Sequence, residues 1–209
     1  MKKTLPPDNP NIFYILAKIY KNQPFKRIRQ LSIMHFRGLK RLNFKKLLKT
    51  RGKLNQALMA IDEAGQLILK NKEEISKLFD REVNHKWFEN QRSKIREHAQ
   101  SLNNEIWPLL HNRLKRVYRG KFLNVKEYDE LLDEMKTAIN VIGKNIIDPK
   151  TDLQIVSLVQ IIVKRLALRI IEEAKNTENK EICNQLLERL KISIEALSES
   201  AIVLKAINI

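Results

Sequence analysis

The sequence has little cysteine, glycine or proline: one cysteine, five glycines and six prolines among 209 residues. The lone cysteine, Cys183, cannot form an intramolecular disulfide or a cysteine-pair metal site, and it favours a reducing, cytoplasmic setting. Because glycine and proline are the main punctuation of turns, their scarcity argues against a fold of many short strands. These absences favour an all-α protein.

Long apolar runs are absent as well. The longest, residues 155–163, is interrupted twice by polar residues and is about half the length of a membrane span. Residues 1–7 have no apolar segment of the kind that a secretory signal requires, so we expect no signal peptide. The sequence therefore predicts no transmembrane span.

Acidic residues are almost missing from the first 60 positions. This stretch has 15 lysines and arginines against Asp8 alone, so it carries +14 of a net charge of +16. Residues 113–121 add +5, whereas residues 61–112 and 122–209 sum to −1 and −2. Solubility needs only mixed charge. An excess of one sign in one third of the chain predicts a polyanionic partner.

Apolar residues recur at helical spacing along most of the chain. We predict an all-α fold, a bundle of about six to seven helices with long antiparallel helices and a basic N-terminal helical portion. Within that portion, helices are expected at about residues 10–20 and 25–42. Residues 1–70 form the predicted basic N-terminal helical region and residues 71–209 the bundle core, although both can belong to one continuous domain.

Several residues mark expected helix ends. Pro108 should kink or end the helix that begins near residue 72, because proline has no N–H and its ring clashes with a carbonyl one turn earlier. The other signals are a capping box at Asn124 and Glu127, a C-terminal glycine at Gly143, and an N-cap with N1 proline at Asp148 and Pro149.

The last predicted helix, about residues 179–207, has an apolar stripe at 4-3-4-3 spacing. The stripe either packs antiparallel within a bundle or pairs with another chain. We favour bundle packing, because two heptads are too few to indicate a coiled coil. Its members are Leu190, Ile194, Leu197, Ala201 and Leu204.

Two groups of residues are candidates for binding nucleic-acid phosphates, with an affinity that falls steeply as salt rises. The first lies on basic helix faces and comprises Lys26, Arg27, Arg29, Arg37, Lys40, Arg41, Lys45, Lys46, Lys49, Arg51 and Lys53. The second places an aromatic ring among basic residues and comprises Arg113, Lys115, Arg116, Tyr118, Arg119 and Lys121. Tyr118 either stacks on a base or packs partly into the bundle with its hydroxyl in water.

Two arginine–histidine pairs, Arg29 with His35 and Arg92 with His98, resemble the Arg-(x4–6)-His motif of the all-helical HEPN ribonucleases. The resemblance implies that the arginine holds a scissile phosphate while the histidine transfers a proton. Of the two pairs, Arg92 and His98 fit better. After the arginine, however, the chain has glutamine in the first pair and serine in the second, where the family typically has Asn, Asp or His.

Other chemistry is poorly represented. His85 and Glu89 share a helix face but belong to no HExxH pattern, so we predict no metal site. We expect the acidic run Asp129, Glu130, Asp133 and Glu134 to form a solvated face, with docking of a basic partner as the alternative. No catalytic residue or cofactor is predicted.

The sequence thus favours a non-enzymatic nucleic-acid-binding helical protein, an accessory subunit of a larger nucleoprotein complex with protein partners. RNA is preferred to DNA because no helix-turn-helix or zipper pattern is present. The alternatives are a HEPN-like ribonuclease and an adaptor that binds an anionic membrane surface or an acidic protein.

Overall fold

The computed structural model describes residues 43–79, 85–119, 123–144 and 146–207. Every regular element within these residues is a helix, which confirms the all-α class. The helices predicted at about residues 10–20 and 25–42 lie outside the described residues. The six described helices are α1 (Phe44–Lys70), α2 (Lys72–Phe79), α3 (His85–Tyr118), α4 (Val125–Gly143), α5 (Pro149–Asn176) and α6 (Lys180–Ile207).

The described chain divides into two compact units. The smaller contains residues 53–79 and 85–98, and we call the other, residues 43–52 and 99–207 of the described chain, the bundle unit. Helices α1 and α3 each contribute to both units. The domain division at residue 70 inferred from the sequence stays a prediction.

Helices α5 and α6 form an antiparallel hairpin in the bundle unit. Only residues 177–179 join them, and a connection this short makes neighbouring helices antiparallel. The Sγ of Cys183 lies 3.9 Å from the carbonyl oxygen of Ala174, at the closed end of the hairpin. Helix α5 is almost wholly apolar toward its neighbours, with Ile155, Val159 and Ile162 fully buried.

The remaining helices of the bundle unit pack beside this hairpin in alternating directions. Helix α4 is parallel to α6, because Asp129 pairs with Arg189 near the start of α4 and Gly143 meets Val203 near its end. The first turns of α1 run antiparallel to α3. Two contacts set that direction, one between Phe44 and Arg113 and one between Arg51 and Asn103.

The predicted capping box is confirmed at the start of α4. The backbone N–H of Glu127 donates to Asn124 Oδ1 at 2.9 Å, and the Asn124 N–H donates to Glu127 Oε2 at 3.1 Å. At Asp148 the proline-led helix start is present, but the Asp148 side chain makes no capping hydrogen bond. Helix α3 does not end at Pro108, and it continues to Tyr118. Pro108 is exposed, so water can satisfy the carbonyl that the missing N–H leaves unpaired.

Gly143 has a different role from the predicted one. It is the last residue of α4, and the following Lys144 is in the right-handed helical region, so no left-handed glycine cap forms. A Cβ at Gly143 would lie 2.5 Å from a methyl carbon of Val203. The position requires glycine because α6 approaches the α4 backbone closely.

The apolar stripe of α6 is not the face that packs in the bundle, contrary to our expectation. The buried residues of α6 are Leu186, Ser193, Ala196 and Ser200. Within the stripe, Ile194 is 54% exposed and the other four residues are only partly buried. The small side chains of α6 thus face α4 and α5, while larger aliphatic ones lie at the edge of the contact.

Candidate nucleic-acid interface

Ten of the predicted nucleic-acid-binding residues lie within the described part of the chain. Nine belong to the bundle unit and Lys53 belongs to the smaller unit. The predicted residues outside the described part are Lys26, Arg27, Arg29, Arg37, Lys40, Arg41 and Lys121.

Arg51 is a correction to the predicted set, because its side chain is fully buried. Its Nη2 donates to both carboxylate oxygens of Asp152, each at 2.8 Å, and its Nε lies 3.4 Å from Asn103 Oδ1. A buried guanidinium already paired with a carboxylate cannot reach a phosphate. Arg51 therefore holds the bundle together instead of binding nucleic acid.

Asp152 receives donors from several parts of the bundle unit. Besides Arg51, the amide of Asn103 donates to its Oδ1 at 2.8 Å. The backbone N–H groups of Ile147 and Asp148 donate to its Oδ2 at 3.0 and 3.1 Å. One carboxylate thereby ties α1, α3 and the start of α5 to the segment that precedes α5. Buried charges are tolerated when they are paired and hydrogen-bonded in this way.

The acidic residues of α4 neutralise three more of the predicted binding residues. Lys45 Nζ lies 3.6 Å from Asp133 Oδ2, and Arg113 Nη2 donates to Glu134 Oε1 at 2.9 Å. Arg116 forms an ion pair with Glu127. The acidic run thus contacts basic side chains of its own chain, which neither sequence-based interpretation of it anticipated.

Lys46 and Lys49 are exposed on α1 but point away from α3. Each helical residue turns the side chain by about 100°, so both lie about 140–160° around α1 from Phe44, which contacts α3. Lys46 and Lys49 therefore form a surface separate from the basic end of α3.

The basic end of α3 carries an exposed aromatic ring. Tyr118 is 51% exposed, and the guanidinium carbon of Arg165 lies 4.4 Å from its ring centroid. Arg165 Nε also donates to the Tyr118 hydroxyl at 2.7 Å. Lys115, in the last turn of α3, and Arg119, the residue after α3, are also exposed. We call Lys115, Tyr118, Arg119 and Arg165 the Tyr118 platform.

Sequence reasoning missed Arg165, because nothing local in the sequence links it to a residue 47 positions earlier. Its signal was weak: an arginine at the end of an apolar run is also a normal solvated residue. Only the packing of α5 against α3 brings this guanidinium onto the tyrosine ring.

A buried pair on α5 fixes the position of the platform. Arg169 Nη1 donates to the carbonyl of Val117 at 2.9 Å, which satisfies an acceptor that the end of α3 leaves open. Glu173 Oε1 lies 3.6 Å from Arg169 Nε, and it accepts a hydrogen bond from the backbone N–H of Leu123 at 3.2 Å. Glu173 also affects Tyr128 of α4. Burial is the largest cause that raises the pKa of Tyr128 above its ordinary value, and the Glu173 carboxylate is the second. These contacts hold the chain on both sides of residues 120–122.

The arginine of the ribonuclease-like pair is engaged within the smaller unit. Arg92 Nε donates to Asp62 Oδ1 at 2.5 Å, and Arg92 also pairs with Glu89. The hydrogen bond to Asp62 is the largest cause of a raised Arg92 pKa. Both carboxylates would have to move before Arg92 could hold a phosphate. The other pair, Arg29 and His35, lies outside the described residues.

Among the helices of the described residues, none is both long and apolar enough to cross a membrane. Among the same residues, no group of three or more His, Cys, Asp or Glu side chains is placed to hold a metal ion.

No protein-family model, curated protein or solved structure matches this chain. The function of this chain must therefore be inferred from its own side chains.

Proposed function

We propose that this chain is a non-enzymatic nucleic-acid-binding protein that holds an unpaired strand, RNA in preference to DNA, on the Tyr118 platform. The same proposal makes it a cytoplasmic accessory subunit of a nucleoprotein complex. The observation that carries the proposal is the half-exposed Tyr118 ring beneath the Arg165 guanidinium, with Lys115 and Arg119 exposed at the same end of α3.

The chemistry of the platform supports a ligand with both bases and phosphates. Aromatic rings and guanidinium planes stack on unpaired bases, and each stacked base is worth about 1–3 kcal/mol. Lys115 and Arg119 supply positive charge for the phosphates beside a stacked base. A duplex hides its base faces, so a single strand fits this arrangement better.

The local charge balance also favours an anionic ligand. The neighbouring carboxylates Glu127 and Glu134 are engaged by Arg116 and Arg113, so they do not neutralise the platform. The exposed Lys46 and Lys49 on α1 offer a second, separate contact for phosphates.

Binding of a fluorescent single-stranded oligouridylate, followed by anisotropy, tests the proposal. Tyr118→Ala should weaken binding at least about fivefold, since it removes one stacking interaction worth roughly 1 kcal/mol or more. Tyr118→Phe keeps the ring and should bind close to the wild type. The deoxy analogue measures the preference for RNA.

Purification provides an independent check. The protein should copurify with nucleic acid, detected as a high ratio of absorbance at 260 nm to that at 280 nm, and should lose it in high salt. Wild-type protein with no measurable affinity for either oligonucleotide at moderate salt would refute the proposal. Equal affinity of Tyr118→Ala and the wild type would remove the platform from it.

A further inference from the structure

Helix α6 carries a row of aliphatic residues that the bundle leaves partly uncovered. Leu187 is 49% and Ile194 is 54% exposed, and the other four members are partly buried. Their spacing of 3-4-3-4-3 gives the 3.5-residue period that keeps one stripe of a helix facing a partner helix. We call the row the α6 seam: Leu187, Leu190, Ile194, Leu197, Ala201 and Leu204.

The face of α6 that does pack in the bundle is built from smaller side chains. Ser193, Ala196 and Ser200 are fully buried, and both serine hydroxyls donate to backbone carbonyls of α6 itself. A helix that served only this bundle would gain most by burying its leucines and isoleucines, each worth about 1.5–3 kcal/mol. The two most exposed large aliphatic side chains of α6 are instead Ile202 and Ile194, and Ile194 belongs to the seam.

Helix α5 adds three exposed aliphatic side chains beside this surface. Ile161, Leu168 and Ile171 are 36–49% exposed and fall within an arc of about 80° on α5, which they share with the exposed Lys164 and Lys175. Ile171 lies about 60° around α5 from Ala174, whose carbonyl meets α6 at Cys183. The antiparallel register then brings Ile171 level with Leu187, so the two stripes adjoin along the hairpin.

The size of this surface suits a stable protein contact. Five aliphatic side chains that are each 36–54% exposed leave on the order of 400 Å² of apolar area, within the range of the largest patch on a typical monomer. The partly buried seam residues and the polar rim add to it. A stable dimer buries roughly 800 Å² per partner, and a hairpin of two 28-residue helices is long enough to supply that area.

The charge of α6 is compatible with a second copy of the chain as the occupant. Two copies with a net charge of +16 each repel one another wherever basic surfaces meet. On α6, however, four basic residues are balanced by four acidic ones, so α6 carries no net charge. Such a surface selects neither a strongly acidic nor a strongly basic partner, and it permits self-association.

The seam is also complementary to itself. When two α6 helices are set antiparallel about a two-fold axis near residues 195 and 196, the large and small positions match. Ile194 then faces Leu197 of the second copy, Leu190 faces Ala201, and Leu187 faces Leu204. All six members meet apolar side chains, as an isologous contact requires.

We propose that the protein forms a homodimer through the α5–α6 hairpin, with the two α6 seams packed antiparallel. This dimer does not depend on nucleic-acid binding. Once formed, it places two Tyr118 platforms in one assembly, so a strand long enough to reach both gains avidity.

Sedimentation equilibrium of the full chain, after nuclease treatment and in high salt, tests the proposal. The wild type should approach twice the monomer mass of 24.6 kDa as its concentration rises. Ile194→Lys should shift the equilibrium to monomer, with at least a tenfold weaker dimer. The matched control is Ile202→Lys, on the same helix and 68% exposed but off the seam, and it should dimerise like the wild type.

Three results would overturn the proposal. The first is a wild type that stays monomeric at every concentration after nuclease treatment. The second is a dimer that Ile194→Lys leaves intact. The third is equal loss of the dimer in Ile194→Lys and Ile202→Lys. Circular dichroism of both variants confirms that each is folded, which their exposed positions lead us to expect.

Discussion

Two arginine clusters of the bundle unit use the same side chain in opposite ways. Arg51 is fully buried against Asp152, where a carboxylate cancels its charge. Arg165 lies on the surface over the ring of Tyr118, which accepts its hydrogen bond but leaves its charge uncancelled. The comparison shows that a count of basic residues overstates the charge available for a ligand, because distant carboxylates neutralise part of it.

The largest expected effect is the difference in free energy of unfolding between variants of the two arginines. Arg51→Met leaves the buried Asp152 carboxylate without its counter-charge, and removal of one partner from a buried pair costs about 3–5 kcal/mol. Arg165→Met removes only an exposed contact, worth at most about 1 kcal/mol. Urea denaturation of both variants measures the difference. If Arg51→Met lost no more free energy of unfolding than Arg165→Met, the structural role of Arg51 would be wrong.

Alanine substitutions at two glycines of the bundle unit should change the free energy of unfolding in opposite directions. Gly143→Ala forces a Cβ to 2.5 Å from Val203, and such overpacking costs typically about 1–3 kcal/mol. Gly52→Ala meets Val141 at 3.8 Å, an ordinary contact, and should stabilise α1 by up to about 1 kcal/mol. Thermal denaturation of the pair reports both signs. A stabilised Gly143→Ala would contradict the close approach of α6 to α4.

Removal of two carboxylates from α4 should make two more basic residues available to bind phosphates. The double variant Asp133→Asn with Glu134→Gln removes the partners of Lys45 and Arg113. Oligouridylate binding should strengthen, and the log–log salt slope should steepen by up to about 0.7 for each phosphate then contacted. The double variant Glu188→Gln with Glu199→Gln, at exposed positions of α6, makes the same change of two units in net charge and serves as the control. Equal binding by the α4 double variant and the control would argue against this neutralising role of α4.

The smallest effect concerns pH and the capping box at α4. The pKa of Glu127 is lowered below 4.5. The largest cause is the hydrogen bond from the backbone N–H of Asn124, and the second is the hydrogen bond from Arg116. Because the folded-state pKa is lowered, the stabilisation is complete above the unfolded-state pKa and is lost as the pH falls through the folded-state value. The stability difference between the wild type and Glu127→Gln should therefore be present at neutral pH and shrink in acid. Urea midpoints at the two pH values measure it, and a difference that grows in acid would reverse the sign.

The sequence predicted those features of the fold that depend on neighbouring residues. Helical periodicity indicated the all-α class, and the spacing of Asn124 and Glu127 predicted a capping box that the structure contains. It left open whether the helix kinks or ends at Pro108, because the exposure of that position is set by tertiary packing, and the structure shows that α3 continues.

The candidate site was less predictable, since its charges are decided by long-range partners. Lys49 and Arg51 are two residues apart on one helix, yet one is exposed and the other is buried. Arg51 is one turn from both Leu47 and Leu54 and so lies on the buried face of α1, but only the position of Asp152, 101 residues later, shows which carboxylate pairs with it there. In the same way, Arg165 joins Tyr118 through packing of α5, which no local pattern in the sequence encodes.

The salt dependence of oligouridylate affinity tests the central claim most directly, by comparing two variants of equal net charge. One is Lys115→Gln with Arg119→Gln, on the platform, and the other is Lys175→Gln with Lys180→Gln, at exposed positions near the closed end of the α5–α6 hairpin. We predict that the platform variant lowers the magnitude of the log–log slope by about 1.4, at about 0.7 per single-strand phosphate, and that the control keeps the wild-type slope. Equal slopes in the two variants would show that net charge, and not the Tyr118 platform, governs binding.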